Sequence, residues 1–292
     1  MSTAPDHVMT ITTRGEFNLK LPRVSPNPST DNLIRQPVTI SMRGNYAQNC
    51  EPAPPYEAFA FLYSRTMAVD FCRQALPAYQ HLALRGVPLG SLLLDVCCGS
   101  GQWARELTRL GYRVTGLDVS PAMIRLARET APSARFLVAD ARNFQFVNSF
   151  SGVISAFNSL SHASSAEQLL QIFRNVRCAL TREAAFVFDL SMEEAYLSNW
   201  RGRFSSRSGE LTFTLEPSYD PVSRIAQNQI RIANRNGEST SDTAFTISQH
   251  CYSEDEIRHA LRQADFHDVE SFDAENDLAI VGERGRLFFR CR

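Results

Sequence analysis

Short apolar runs alternate with helical patterns through the middle of the chain, and this alternation constrains the fold more than any other feature. Five such runs read LLLDV at 92 to 96, YRVTGLD at 112 to 118, ARFLVAD at 134 to 140, GVISAF at 152 to 157 and AAFVFDL at 184 to 190. Strands separated by helices form parallel sheets with covered faces. With two more strands predicted near 269 to 272 and 287 to 291, we expect an α/β fold with a seven-stranded, mostly parallel sheet.

The sequence divides into three parts of different texture. Residues 1 to 55 hold eight of the 14 prolines and no sustained periodicity, which predicts a largely disordered N-terminal extension. Residues 191 to 250 contain runs in which apolar and polar residues alternate, as in half-buried antiparallel strands. We therefore predict one domain built from residues 56 to 190 and 251 to 292, with an antiparallel β cover inserted after the fifth strand.

Charge and residue usage exclude several function classes. The formal net charge of -1 provides no positive field for nucleic acid or for an anionic membrane. Of the 30 basic residues, Lys20 is the one lysine, and it falls in the predicted disordered extension. Walker A enzymes, protein kinases and Schiff-base enzymes need a lysine in a folded core, so these classes are excluded.

The cysteines and the first residues of the chain indicate in which cellular compartment the protein is expected. The seven cysteines are scattered, and they fit neither a disulfide framework nor a zinc site. The first ten residues lack a basic start and an apolar run, and no apolar stretch approaches 18 residues. We expect a protein of the reducing cytosol, without a metal.

A glycine-rich turn stands between the first strand and the first helix. It reads DVCCGSG at 95 to 101, and Asp118 follows 23 residues after Asp95, at the end of the second strand. Such a turn admits a ligand to the backbone, and an acidic second-strand end accepts hydrogen bonds from ribose hydroxyls. A dinucleotide fingerprint needs glycine at 97, 99 and 102, but the chain has Cys97 and Gln102. An adenosine cofactor other than NAD or FAD is indicated.

DVCCGSG and the following TGLDVS resemble the first two motifs of the class I S-adenosylmethionine-dependent methyltransferases, which have a Rossmann-like fold. The resemblance implies that Asp95 holds the methionine amino group, that Gly99 and Gly101 let the backbone pass close to the cofactor, and that Asp118 binds the ribose. VADAR at 138 to 142 is similar to the third motif. The other cofactor-binding residues implied are Tyr63, Cys97, Val119, Met123, Asp140, Ala141 and Phe157.

Three of these residues have specific implied roles toward adenine. The resemblance places Asp140 on the exocyclic amine and the Ala141 amide on the ring. Met123 matches a position that packs on adenine, although core packing is an equal alternative for that side chain. The product of the reaction would be S-adenosylhomocysteine.

The segment after the fourth strand, FNSLSH at 157 to 162, resembles that of small-molecule methyltransferases of the glycine N-methyltransferase and amino-sugar N,N-dimethyltransferase type. Ligands of this fold bind beyond the carboxyl ends of the strands, so the segment borders the transferable methyl. His162 is the candidate general base, or else a structural histidine. Asn158 either orients the nucleophile or holds a turn.

Aromatic and polar residues outside the motifs are candidates for acceptor binding. Tyr56, Phe59 and Tyr63 precede the sheet, where relatives carry a lid. The cover offers Trp200 and Arg231, and Tyr252 follows it; for each, packing is the alternative, and the cover could equally form a homodimer contact.

These observations predict an enzyme that methylates a small metabolite, with an amine favoured over a hydroxyl. The alternatives are a methyltransferase acting on a peptide or protein and a non-catalytic module that binds S-adenosylmethionine.

Overall fold

The computed structural model describes Ala60, Ser64 and residues 67 to 208, 211 to 236 and 239 to 292. The predicted N-terminal extension, residues 1 to 55, lies outside these residues. Tyr56, Phe59 and Tyr63, which we expect to form a lid, lie outside them too.

Strands and helices alternate in the first part of the described chain. The elements are α1 (Met67–Ala83), β1 (Leu92–Val96), α2 (Gln102–Arg109), β2 (Arg113–Asp118), α3 (Pro121–Thr130), β3 (Arg135–Val138), β4 (Phe150–Ser155), a short 3₁₀ helix (Ser159–His162), α4 (Ala166–Ala179) and β5 (Leu180–Ser191). The later elements are α5 (Glu193–Asn199), β6 (Phe204–Ser208), β7 (Leu211–Asp220), β8 (Ile225–Asn236), β9 (Ser239–His250), α6 (Glu254–Gln263), β10 (Val269–Asp273) and β11 (Arg286–Cys291).

Within the described residues, seven strands form one sheet in the order β10-β11-β5-β4-β1-β2-β3. Strands β1 to β5 are parallel, whereas β11 runs antiparallel to β5, and β10 antiparallel to β11. The chain builds outward from β1 to β3 and then returns to β4 on the other side of β1. This reversal opens a crevice beyond the carboxyl ends of β1 and β4. The predicted mostly parallel, Rossmann-like sheet is confirmed.

Both faces of the sheet are covered by apolar side chains. Leu93 and Leu94 are neighbours on β1, and successive side chains of a strand point to opposite faces. Leu93 packs in the cluster that contains Tyr79 of α1 and Trp103 of α2, and Leu94 packs in the cluster that contains Phe173 of α4. These clusters pack the helices against the sheet and so set the positions of the strand ends and helix starts at its carboxyl edge.

Side-chain caps fix the first residues of two helices. The Ser120 hydroxyl accepts a hydrogen bond from the Met123 amide at 3.3 Å, and Pro121 occupies the first turn of α3. At α6, Ser253 and Glu256 form a complete capping box.

A second sheet follows β5 and is antiparallel, with the strand order β6-β7-β8-β9. Its buried cluster contains Phe213, Ile230 and Ile232, whereas Arg231 is exposed because neighbouring residues of a strand face opposite sides. The alternating pattern of residues 191 to 250 predicts an antiparallel cover here, but it predicts neither β6 nor α5. The β6 sequence, FSSRS, has one apolar residue, Phe204, and that side chain is itself 53% exposed.

Candidate functional site

The β1–α2 turn has a left-handed backbone at three positions. The φ angles are 60° at Cys97, 51° at Gly99 and 83° at Gly101. At Gly101 the space is also closed, because an added Cβ would lie 2.9 Å from the Cα of Ala127 in α3. Glycine at 101 therefore allows α2 and α3 to approach each other closely.

Asp118 locks this turn to the end of β2. One carboxylate oxygen accepts a hydrogen bond from the Gly99 amide at 2.9 Å, and the other accepts from the Ser120 amide at 2.9 Å. Burial raises the pKa of Asp118, and these two amides oppose that rise. Each oxygen keeps a second lone pair, so the carboxylate can also accept hydrogen bonds from a ligand diol.

Asp95 is buried at 1% exposure, and its Oδ2 has no hydrogen-bond partner among the described residues. Burial, with a smaller contribution from the Asp118 charge, raises the pKa of Asp95 well above its usual value. A buried, unsatisfied carboxylate is costly unless a ligand completes it. A ligand ammonium would supply both the missing donor and the missing charge, so the residue fits the amino acid part of S-adenosylmethionine.

Asp140 lies two residues beyond β3 and is already paired with Arg142. The Arg142 amide donates to Asp140 Oδ1 at 2.8 Å, and the guanidinium donates to Oδ2 at 2.5 Å. Partial burial opposes ionisation, but the hydrogen bonds and charge of Arg142 together lower the pKa of Asp140. The neighbouring Ala141 is buried, and its carbonyl accepts from Asn175 at 3.0 Å.

Apolar side chains stand beside these carboxylates. Val119 and Val138 are 50% and 44% exposed at the ends of neighbouring strands, which is unusual for valine next to a sheet core. Met123 is buried in a small cluster with Ala60 and Ala122. The exposed valines provide an apolar surface that an adenine ring could cover, whereas the Met123 side chain is already packed against protein.

Two consecutive residues after β4 are left-handed, Phe157 with φ 62° and Asn158 with φ 58°. The Asn158 side chain is buried: its Oδ1 accepts from the Ser191 amide at 2.9 Å. Its Nδ2 donates to the Tyr196 hydroxyl at 3.0 Å and to Gln249 Oε1 at 2.9 Å. Both amide protons are thus used within the protein, so the geometry favours the turn-holding alternative for Asn158.

His162 ends the 3₁₀ helix, and its Nδ1 lies 3.1 Å from the Ser248 carbonyl oxygen. A carbonyl can only accept, so we assign the proton to Nδ1, which leaves the Nε2 lone pair as the acceptor. The side chain lies at the surface, yet the protein packed around the ring lowers the pKa of His162. A neutral imidazole with a free Nε2 is the form that a general base requires.

The residues predicted to bind the methyl acceptor do not form a single cluster in the described part of the chain. Tyr252 is 2% exposed, and its hydroxyl donates to the Ala163 carbonyl at 2.6 Å. Trp200 is half-buried with its ring centroid 5.3 Å from that of Tyr196, and Arg231 is exposed on β8. Tyr63 and Tyr56 lie outside the described residues. Trp200 is therefore linked to Asn158 through Tyr196, while Tyr252 is occupied in packing.

Sequence reasoning missed Tyr196, Gln249 and Asp189, which all contact the Phe157–Asn158 turn. For Asp189 a signal existed, because it is a lone acid in the apolar run AAFVFDL. Tyr196 and Gln249 carry no such local signal.

Two other features are absent from the described part of the chain, a metal-binding group and a membrane-spanning helix. Its histidine, cysteine and acidic side chains form no group of three or more that could hold a metal ion. None of its helices is long and apolar enough to cross a membrane.

Residues 93–183 match the family model described as a methyltransferase domain. Over 82 residues the chain is 35% identical to the dTDP-3-amino-3,4,6-trideoxy-alpha-D-glucopyranose N,N-dimethyltransferase of Streptomyces venezuelae, covering 28% of this chain and 35% of that protein. It is 35% identical over 88 residues to the dTDP-3-amino-3,6-dideoxy-alpha-D-glucopyranose N,N-dimethyltransferase of Streptomyces fradiae, covering 30% and 34%. The chain thus spans about a third of the length of these two relatives.

Solved structures match over a larger part of the chain. An S-adenosylmethionine-dependent methyltransferase from Clostridium acetobutylicum superposes with a TM-score of 0.65 at 16% identity, covering 82% of this chain and 98% of that one. The sugar N-methyltransferase KedS8 from Streptoalloteichus superposes with a TM-score of 0.64 at 17% identity, covering 78% and 91%. Residues 93–183 therefore match the methyltransferase domain family, and the described part of the chain has the fold of the class I S-adenosylmethionine-dependent methyltransferases.

Proposed function

We propose that the protein is an enzyme that transfers a methyl group from S-adenosylmethionine to an amine of a small metabolite. The observation that supports this cofactor most directly is the buried Asp95 carboxylate, whose Oδ2 has no partner among the described residues. Next to it, Asp118 keeps free lone pairs for a diol. An ammonium and a ribose are the two polar ends that this pair of carboxylates suits.

The chain would hold the cofactor with groups from the carboxyl edge of the sheet. Asp95 would bind the ammonium, Asp118 the ribose hydroxyls, and the backbone of Gly99 and Gly101 would line the path between them. Val119 would pack on the adenine ring. When bound, S-adenosylmethionine supplies an electrophilic methyl group attached to a sulfonium.

Positioning contributes most to a displacement of this kind. Alignment of the two reactants is worth about 7 to 11 kcal/mol, whereas a general base contributes about 10²- to 10⁴-fold in rate. The Phe157–Asn158 turn would place the acceptor at the methyl. Attack of the acceptor nitrogen on the methyl carbon would break the carbon–sulfur bond and leave S-adenosylhomocysteine. His162 Nε2 would take the proton that the alkylated nitrogen releases.

The names of the relatives support an amine on a sugar as the acceptor. Two relatives are named for N,N-dimethylation of dTDP-linked amino sugars, and a structural neighbour is a sugar N-methyltransferase. Arg231, exposed on the second sheet, and the partly exposed Trp200 would offer a cation and a ring to a nucleotide-linked acceptor. We therefore place nucleotide-linked amino sugars first among the acceptors to be tried.

The proposal is tested in two steps with the full chain. Titration calorimetry with S-adenosylmethionine and with NAD tests the cofactor, and binding of the first alone is expected. Mass spectrometry then follows methylation of a dTDP-linked 3-amino sugar, a catechol and a short peptide. Methylation of the amino sugar supports the proposal; methylation of the peptide alone supports the protein-directed alternative. Tight cofactor binding without transfer to any acceptor supports a binding module.

A further inference from the structure

Asp189 is a fully buried carboxylate at the end of β5 that the proposed chemistry does not use. It accepts hydrogen bonds from the Phe157 amide at 2.6 Å and from the Asn158 amide at 2.8 Å. It also accepts from the Tyr79 hydroxyl at 2.6 Å and from the Arg286 guanidinium. Each oxygen therefore receives one backbone and one side-chain donor.

The two backbone donors belong to the turn that borders the crevice. Phe157 and Asn158 are both left-handed, a conformation that side chains with a Cβ disfavour. Adjacent left-handed residues persist only where the surroundings hold them. The two successive amides donate hydrogen bonds to one carboxylate, so Asp189 stabilises the left-handed conformation of this turn.

The two side-chain donors fix the carboxylate itself. Tyr79 of α1 is 1% exposed and also contacts the Ser155 carbonyl at 3.0 Å. Arg286 of β11 lies with its guanidinium carbon 4.8 Å from the Phe71 ring centroid and 5.7 Å from that of Phe157. The cation thus neutralises Asp189 and packs on the aromatic ring of the turn that Asp189 holds.

We propose that Asp189 is a positioning residue for methyl transfer. It holds the Phe157–Asn158 turn against the transferable methyl, with the Arg286 and Tyr79 side chains fixing the orientation of its carboxylate. This inference rests on the proposed function, because a turn at the crevice matters to catalysis only if an acceptor binds there.

Asp189→Asn is the variant that separates positioning from simple core stability. An amide has one acceptor oxygen, so its NH₂ group must face one pair of the former donors. If the NH₂ group takes the place of Oδ1, the Tyr79 hydroxyl can still donate to the Ser155 carbonyl, but the Phe157 amide has no acceptor. Phe266→Leu is the matched control, since Phe266 is buried at 0% exposure and its ring packs against Phe186 and Arg177.

Three readouts are compared between the wild type and these variants. They are hydrogen exchange of the peptide that covers 157 to 162, affinity for S-adenosylhomocysteine by calorimetry, and kcat with the amine acceptor. For Asp189→Asn we expect faster exchange, an affinity within about threefold of the wild type and a kcat lowered about tenfold to a hundredfold. Phe266→Leu is expected to lower the melting temperature with kcat and the exchange of this peptide unchanged.

Two results would overturn the role. One is faster exchange with an unchanged kcat, and the other is a parallel loss of cofactor affinity and kcat. If Asp189→Asn does not fold, Tyr79→Phe takes its place; it removes one donor from the same carboxylate and is expected to give smaller changes in the same direction. If the wild type methylates no acceptor, the proposed function fails, while hydrogen exchange still reports whether Asp189 holds the turn.

Discussion

At the scale of single residues, Asp95 shows how a binding group can cost stability. Its carboxylate is buried without a full set of partners among the described residues, and its pKa is raised. Between its usual pKa and this raised value, the folded state binds more protons than the unfolded state. Stability of the cofactor-free protein therefore falls as pH rises through this range.

Asp95→Asn is expected to stabilise the cofactor-free protein by about 1 to 3 kcal/mol at a pH where the Asp95 carboxylate is ionised, because it removes an uncompensated buried charge. It should also abolish measurable binding of S-adenosylmethionine. Thermal unfolding and calorimetry measure the two effects. Asp118→Asn provides the contrast: its carboxylate holds two backbone amides, so this variant should lose stability as well as affinity. Destabilisation by Asp95→Asn would contradict the assignment.

The lowered pKa of His162 leads to a prediction about pH dependence. A general base must be neutral, and its contribution is lost as pH falls through its pKa. The acid limb of kcat assigned to His162 should therefore lie below pH 6.5, the ordinary value for imidazole. His162→Ala should remove this limb and lower kcat by about 10²-fold, with cofactor affinity nearly unchanged. A limb that persists in His162→Ala belongs to another group.

At the scale of elements, the β1–α2 turn depends on glycine for two separable reasons. Gly101 has φ 83° and faces Ala127 at 2.9 Å, whereas Gly86 has φ 82° and nothing within 4 Å of an added Cβ. Gly86→Ala should cost about 1 kcal/mol from backbone strain alone. Gly101→Ala should cost more by about 1 to 3 kcal/mol, since the added methyl also separates α2 from α3. Equal melting temperatures for the two variants would show that the close approach is unimportant.

Element positions were predictable where periodicity was strong. The apolar run at 92 to 96 coincides with β1, and Ser120 with Pro121 marks the start of α3 as the structure has it. Periodicity could not find β6 or α5, because β6 has one apolar residue and α5 spans only seven.

The candidate site was predictable only in part for a related reason. Turn motifs are local and can be recognised in sequence, as at Gly99 and Asp118. Asp189 is joined to Tyr79, which lies 110 positions before it in the sequence, and to Arg286, which lies 97 positions after it. No local pattern predicts contacts over such separations. Contacts of this kind become visible only when strand order brings β4, β5 and β11 together.

At the scale of the whole molecule, a partly buried polar cluster links the second sheet to the main sheet. Gln249 at the end of β9 accepts hydrogen bonds from Asn158 Nδ2 at 2.9 Å and from the Tyr196 hydroxyl at 3.2 Å. Through Asn158 the second sheet is connected to the turn after β4. The position of the antiparallel cover is thereby coupled to the crevice of the main sheet.

Gln249→Ala is therefore expected to lower kcat by about threefold to tenfold through misplacement of the turn. It should cost about 1 kcal/mol of stability, the usual loss for a hydrogen bond, and leave cofactor affinity unchanged. Gln227→Ala on β8 is the matched control, because Gln227 is exposed and should tolerate the change. Equal kcat values for the two variants would show that the second sheet is not coupled to the crevice.

The most direct test of the central claim is transfer itself. The full chain is incubated with S-adenosylmethionine labelled in its methyl group and with a dTDP-linked 3-amino sugar, and mass spectrometry locates the label. The account predicts labelled methyl on the sugar nitrogen, formed in step with S-adenosylhomocysteine and lost in Asp95→Asn. Failure of the chain to bind S-adenosylmethionine, or label on the amino sugar that is equal with and without the protein, would contradict it.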